Sequence, residues 1–332
     1  MVMAQSLFMA LQQRYPNLII DVLAPAWSEP LLDRMPEVNE SICMPIGHGK
    51  LQLGLRHRIG KKLREKRYDW SILLPNSLKS ALIPFWANIP IRTGYKGEMR
   101  YGLLNDIRHL DKQTLTMTVQ RFVALSLDRD AYQRNPLVAN IPQPKLQLDQ
   151  PHVSKTAALF GLRSEQPTLA LCPGAEYGPA KRWPIEHFAE VARQQLDAGW
   201  QVWVFGSEKD REVAESICDQ AGRAEHPIVN LAGRTSLAEA IDLMSLTDSV
   251  ISNDSGLMHV AAALDKPVIA LYGSSDPNFT PPLHAAAHVI TLNLACSPCF
   301  ERECPLGHLD CLTKIEPKQV LAHLPSNTLT NG

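Results

Sequence analysis

The sequence predicts an α/β protein built as two domains around parallel, doubly wound sheets. Three observations carry this expectation. The chain has 332 residues, 45% of them hydrophobic, which is more than one ordinary core needs and enough for two. Short apolar runs rich in β-branched residues alternate with amphipathic stretches of helical period, as when strands buried on both faces are joined by crossover helices. The turn-rich segment "NPLVANIPQPKLQLDQP" (Asn135–Pro151) separates two such series. It places one domain over 1–150 and a second over 151–332.

The first half opens directly on a helix, "AQSLFMALQQRY". Strands are expected at "LIIDVLAP" (Leu18–Pro25), "SICMPI" (Ser41–Ile46), "DWSILLP" (Asp69–Pro75) and "IRTGY" (Ile91–Tyr95). Helices are expected around Leu51–Lys66, Leu78–Ala87 and Thr114–Leu127. The second half is clearer. "PTLALC", "QVWVFG", "PIVNLAG", "DSVISN" and "KPVIALYG" read as buried strands. Between them, "PIEHFAEVARQQLDAG" runs from Pro184 in a favoured first-turn position to Gly199. "SEKDREVAESICDQAG" and "TSLAEAIDLMSL" follow, with Ser207 and Thr235 or Ser236 as N-caps.

Charge and composition exclude several classes. With 33 basic and 34 acidic residues the net charge is −1, so no global field draws in nucleic acid and an anionic ligand must meet a local patch. No apolar run approaches the roughly 20 residues that span a bilayer. "MVMAQSLFMALQQRYP" lacks the basic start and small-residue cleavage site of a secretory signal, so the expected location is cytoplasmic. There is no G-x-x-x-x-G-K-[ST], no G-x-G-x-x-G after a strand and no G-x-S-x-G, which argues against an NTPase, a dinucleotide dehydrogenase and a serine hydrolase.

The chemistry gathers where strands hand over to helices, the place where ligands bind in open α/β sheets. In "SNDSGLMHVAAAL", Ser255 can cap a helix whose free N–H groups and dipole suit a phosphate, and Gly256 allows close backbone approach. His259, one turn in, could donate to a phosphate oxygen or sugar hydroxyl. Asp254 repels phosphate and fits better as an acceptor for hydroxyls or as an orienter of His259. A plain helix cap with a satisfied histidine is the competing reading. In "PGAEYGPAKRWP", a glycine-containing loop carries Lys181 and Arg182 to a helix start, as a diphosphate leaving group requires, although Lys181 reads equally as a solvated helix-cap charge. In "FGSEKD", Ser207 and Asp210 reach the same edge and suit a ribose or base, although Ser207 also reads as an N-cap. Three polar joints in one sheet are more than capping requires, and together they point to a nucleotide diphosphate. In the first half, Asn76, Ser77, Lys79, Arg92, Lys96, Arg100 and Tyr101 form a basic group after a strand end, suited to an anionic second substrate or simply to solvent.

Seven cysteines divide into two sets. Cys43, Cys172 and Cys218 lie in apolar segments and read as reduced core residues. Cys296, Cys299, Cys304 and Cys311 cluster in "CSPCFERECPLGHLDC" with His308. Thiolates at C-x2-C spacing with two more nearby could hold a structural zinc, the alternative being a reduced loop or an adventitious disulfide.

"PGAEYGPAKRWP", "SNDSGLMHVAAALDKPVIALYG" and "KSALIPFWANIPIRTGYKGEMRYGLLND" closely resemble the ADP-heptose–lipopolysaccharide heptosyltransferases, and the resemblance covers nearly the whole chain. It implies a GT-B architecture, two Rossmann-like domains facing across a cleft with acceptor on the first and donor on the second. It also implies an inverting transfer of L-glycero-D-manno-heptose from ADP-heptose, with no metal or other cofactor required for catalysis. The acceptor would be heptose I of the lipid-linked Kdo/heptose inner core, reached at the cytoplasmic face of the inner membrane through peripheral contact. By the same resemblance Lys181 neutralises the leaving diphosphate. Asp254, Ser255, Gly256 and His259 match the D-[ST]-G-x-x-H segment that grips the donor, beside Ser207 and Asp210. Asn76, Lys79, Arg92 and Arg100 fall in the region that holds the acidic acceptor. The departure is at the start. Family members open on a strand and a glycine-containing loop ending in an aspartate that deprotonates the acceptor hydroxyl, a contribution of about 10²- to 10⁴-fold. This chain starts after that point, so the first strand is expected to be missing from the sheet and the base from the site. The alternatives are a nucleotide-sugar-binding protein without turnover and a GT-B sugar-nucleotide 2-epimerase.

Overall fold

The computed structural model describes residues 1–47, 49–163, 165–222 and 227–325. The expected end of the second domain at residue 332 lies outside them. The chain forms two compact units that part between Pro142 and Gln143, inside the turn-rich segment.

The first unit has five strands, β1 (Ile20–Ala24), β2 (Val38–Cys43), β3 (Trp70–Leu73), β4 (Ile91–Tyr95) and β5 (Asp106–Arg108). All pairs are parallel, but they make two sheets, β1-β2 and β3-β4-β5. β1 and β3 are therefore ends of separate sheets, joined through side chains: the Tyr68 hydroxyl donates to Asp21 at 2.6 Å. Helix Leu53–Leu63 packs Gly60 against helix Leu78–Trp86, where a Cβ would meet Trp86 at 2.7 Å. The expected strand at 41–46 is corrected to Val38–Cys43, because the ladder follows the partner β1 rather than the apolar run toward Ile46. β5 was not expected. It is three residues long and carries the ion pair Asp106–Arg108, so its composition hides it.

The second unit is one six-stranded parallel sheet. Its strands are β6 (Thr168–Cys172), β7 (Gln201–Val204), β8 (Ile228–Asn230), β9 (Ser249–Asn253), β10 (Val268–Leu271) and β11 (Ala287–Ile290). β6, β7, β9 and β10 are buried along their whole length, which is why each reads as a nearly continuous apolar run. Helices Ile185–Asp197 and Arg211–Ala221 bury Phe188, Val191, Ala192 and Ala214, Ile217 against the sheet at helical spacing. Ser236 caps helix Leu237–Met244 through a capping box with Glu239.

The strand order is β11-β10-β9-β6-β7-β8. From β6 the chain builds outward to β8, then returns to the middle and builds the other way from β9. The order reverses between β6 and β9, and the loops after those two strands meet at this switch point, whose crevice is where ligands bind in open α/β sheets. The two loops are "PGAEYGPAKRWP" and "DSG".

Candidate active site

The crevice is set by Asn253 at the end of β9, fully buried. Its amide donates to the Pro173 carbonyl at 2.7 Å and its Oδ1 accepts from the Trp183 N–H at 3.1 Å. One side chain thus fixes both ends of the Pro173–Trp183 loop to β9. Trp183 is anchored in turn by its indole N–H on the Ile315 carbonyl at 2.8 Å.

The loop places Lys181 against the residue after Asn253. Its ammonium meets the Asp254 carboxylate at 2.5 Å, with both side chains largely buried, and lies 5.1 Å from the centre of the Tyr177 ring. The Asp254 carboxylate thus holds Lys181, and no hydrogen bond ties it to His259 among the described residues. His259 is kept neutral. Burial pulls its imidazole pKa down to about 4, Lys181 adds to the shift, and Asp254 opposes it.

Helix Gly256–Ala263 begins at this point with Ser255 in the N-cap position. The serine makes no side-chain cap bond; its hydroxyl lies 3.1 Å from that of Ser252. The first-turn N–H groups are therefore left for a ligand. Gly256 is exposed and nothing lies within 4 Å of where a Cβ would stand, so the space before the helix is open. Met258, by contrast, is core.

Ser207 and Asp210 do reach the same edge, but they serve each other. The Asp210 carboxylate accepts from the Ser207 N–H at 2.9 Å and hydroxyl at 2.7 Å, a capping box. A Cβ on Gly174 would come within 2.6 Å of that carboxylate, so the two loops pack tightly there. In this arrangement the two side chains are bonded to each other.

The basic group of the first unit divides as well. Arg100 is buried at 2% exposure; its guanidinium donates to the Pro75 carbonyl at 2.8 Å, to Asn76 Oδ1 and Ser80 Oγ at 3.3 Å, and to the Tyr95 carbonyl. Arg92 donates to the Leu103 and Ile89 carbonyls at 2.6 and 2.5 Å. Both staple loops together, and Asn76 Oδ1 is one of the acceptors of Arg100. Lys79, half-buried, and Lys96, exposed, keep their ammonium groups without a side-chain partner among the described residues.

Two residues escaped the sequence reading. In "GSSDP", after β10, Ser274 and Ser275 are buried with hydroxyls that have no partner among the described residues. The only signal was two hydroxyls following a buried strand. Of the core cysteines, Cys172 and Cys218 have thiols pushed up to about 12 by burial, but Cys43 is exposed, a correction that follows from its place at the end of the half-covered β2.

A parallel sheet whose switch point holds a lysine and an open helix N-terminus is suited to a phosphate-bearing ligand. The profile of glycosyltransferase family 9 (heptosyltransferase) matches residues 56–310. The chain is 50% identical over 329 residues to lipopolysaccharide heptosyltransferase 2 of Escherichia coli K12, covering 98% of this chain and 94% of that one. It is 48% identical over 299 residues to lipooligosaccharide heptosyltransferase 2 of Haemophilus influenzae, covering 88% and 85%. The solved structure of E. coli ADP-heptose LPS heptosyltransferase II superposes with a TM-score of 0.86 at 48% identity, covering 97% and 93%. The chain belongs to glycosyltransferase family 9, and its fold is of the GT-B class.

Proposed function

We propose that this chain moves L-glycero-D-manno-heptose from ADP-heptose onto heptose I of the lipopolysaccharide inner core, with inversion at the anomeric carbon. The observation that carries this reading is the meeting of Lys181, Asp254 and the open N-terminus of helix Gly256–Ala263 at the switch point of the second sheet. In the reaction the bond from the anomeric carbon to the β-phosphate oxygen breaks, the acceptor oxygen bonds to that carbon, and the acceptor hydroxyl's proton passes to solvent. Negative charge develops on the departing ADP. On this reading Lys181, shared with Asp254, and the first-turn N–H groups stabilise that charge. Neutral His259 can donate one N–H to the same group. Ser274 and Ser275 supply hydroxyls whose bonding is otherwise unfilled. No metal is assigned a part in this chemistry.

The acceptor is read as lipid-linked and met at the cytoplasmic face of the inner membrane, with Lys79 and Lys96 toward its acidic groups. No helix of the described residues is long and apolar enough to cross a membrane. Helix Leu53–Leu63 and the turn after it expose Arg58, Lys61, Lys62, Arg64 and Arg67, a basic face suited to an anionic surface.

The test is ADP release from ADP-heptose, with and without an inner-core acceptor ending in heptose I. Acceptor-dependent ADP release with a heptosylated product supports the reading. Conversion of a uridine sugar without acceptor, or ADP binding with no transfer, overturns it.

A further inference from the structure

We propose that Cys296, Cys299, Cys304 and Cys311 bind one zinc ion, and that the loop so clamped holds the Lys181 turn in place. The four cysteines come together in space. They line one cavity of about 20 Å3, with His308 and Ala180 also on its wall. That is room for a single small occupant. Cys296, Cys299 and Cys304 all lie within electrostatic reach of Cys311. The Gly307 N–H donates to the Cys304 carbonyl at 3.0 Å, closing a tight turn over that cysteine. Left-handed backbone at Gly307 (φ 75°) and Leu309 (φ 54°) folds that turn around it. His308 Nδ1 is already engaged by the Asp310 N–H at 2.9 Å, which leaves the four sulfurs as the soft donors.

As placed, no three of these side chains among the described residues stand in ligating geometry. Closing onto zinc requires the sulfurs to turn inward to about 2.3 Å from a common centre. The ion displaces the thiol protons, which pass to solvent, and leaves a tetrahedral zinc–tetrathiolate.

The segment between Cys299 and Cys304 is what touches the catalytic loop. The Ala180 N–H donates to the Arg302 carbonyl at 3.0 Å, and the Tyr177 hydroxyl to the Phe300 carbonyl at 2.6 Å. A Cβ on Gly178 would stand 2.4 Å from the Arg302 oxygen, so only glycine admits this approach. Lys181 and Arg302 lie over the same Tyr177 ring, at 5.1 and 5.4 Å. The Phe300 N–H is bonded to the Ser274 carbonyl at 2.7 Å, which ties the loop to the partnerless serines too. The positioning half of the proposal rests on the role given above to Lys181; the zinc half does not.

The test uses the full chain purified from zinc-supplemented cells, with metal measured by mass spectrometry and thiols by Ellman's reagent. About one zinc per chain is expected, with four thiols becoming reactive only when a chelator removes it. Cys304→Ser should lose the zinc, and Cys43→Ser should keep it. Stripping zinc should weaken ADP binding about tenfold, reversed by adding zinc back. Gly178→Ala, which leaves every cysteine in place, should keep zinc and weaken ADP binding. A folded protein without metal, its four thiols free or freed only by reductant, overturns the site. Zinc present but ADP affinity unchanged in both stripped protein and Gly178→Ala overturns the clamp. Zinc present in a chain that never binds ADP counts against the function proposed above and leaves the metal site standing.

Discussion

Lys181 and Asp254 lie 2.5 Å apart across the switch point, so the cation assigned to the diphosphate is already balanced before any ligand arrives. A diphosphate must share Lys181 with a carboxylate that also repels it. Asp254→Asn is therefore expected to strengthen ADP binding several-fold while lowering stability, and Lys181→Ala to weaken both. Removing one member of a largely buried ion pair costs about 3 kcal/mol. Isothermal titration with ADP and chemical denaturation of the two variants read these effects separately. Weaker ADP binding in Asp254→Asn would show that the carboxylate contacts the donor after all.

His259 gives stability a pH dependence of known sign. Its folded pKa, about 4, lies below the ordinary histidine value of 6.5, so the unfolded chain binds the proton more readily. Its contribution to stability is fully present above pH 6.5 and is lost as pH falls toward 4. His259→Gln should flatten the melting temperature across that window. Diphosphate binding beside the ring should raise its pKa, so ADP binding at pH 5 should take up a proton, seen by calorimetry in buffers of different ionisation enthalpy. An ADP affinity free of proton uptake would place His259 away from the phosphates.

Arg100 and Lys79, neighbours in the basic group, should separate cleanly. Arg100→Met leaves the Pro75 and Tyr95 carbonyls without their donor and should cost about 3 kcal/mol of stability. Lys79→Ala should leave the melting curve unchanged and raise the KM for acceptor about tenfold, the loss of one charged contact. A normal acceptor KM in Lys79→Ala would remove that lysine from the acceptor site.

Ser275→Ala removes a buried hydroxyl that has no partner. Stability should hold or rise slightly, because an unsatisfied buried group costs about 1–3 kcal/mol. ADP affinity should fall if the hydroxyl serves the ligand. Equal affinity in the variant would make the serine a packing residue.

The second unit was legible because its strands are buried on both faces, and such strands announce themselves as apolar runs. The joints could be read for the same reason: polar residues such as Asp254 and Ser255 stand out at the end of "DSVIS". What the sequence hid was pairing. Lys181 and Asp254 are 73 residues apart, and only the reversal of strand order between β6 and β9 makes them partners. Arg100 reads as a surface charge because its partners are two backbone carbonyls and two neutral side chains, which leave no opposite charge in the sequence to signal burial. Ser207 and Asp210 had two readings, ligand and cap, and spacing alone favours neither. Short edge elements such as β5 and β11 were lost because three or four residues give no period to detect.

The divided sheet of the first unit has a thermodynamic consequence. β1 and β2 are covered only in part along their lengths, whereas β6, β7, β9 and β10 are buried throughout. Amide protons in 20–43 should exchange with deuterium long before those of β6 and β9, because local opening follows the density of buried contacts. The two units then behave as separate cooperative blocks of unequal depth. Heating would melt residues 3–142 first, and a chain that had lost transfer would still bind ADP.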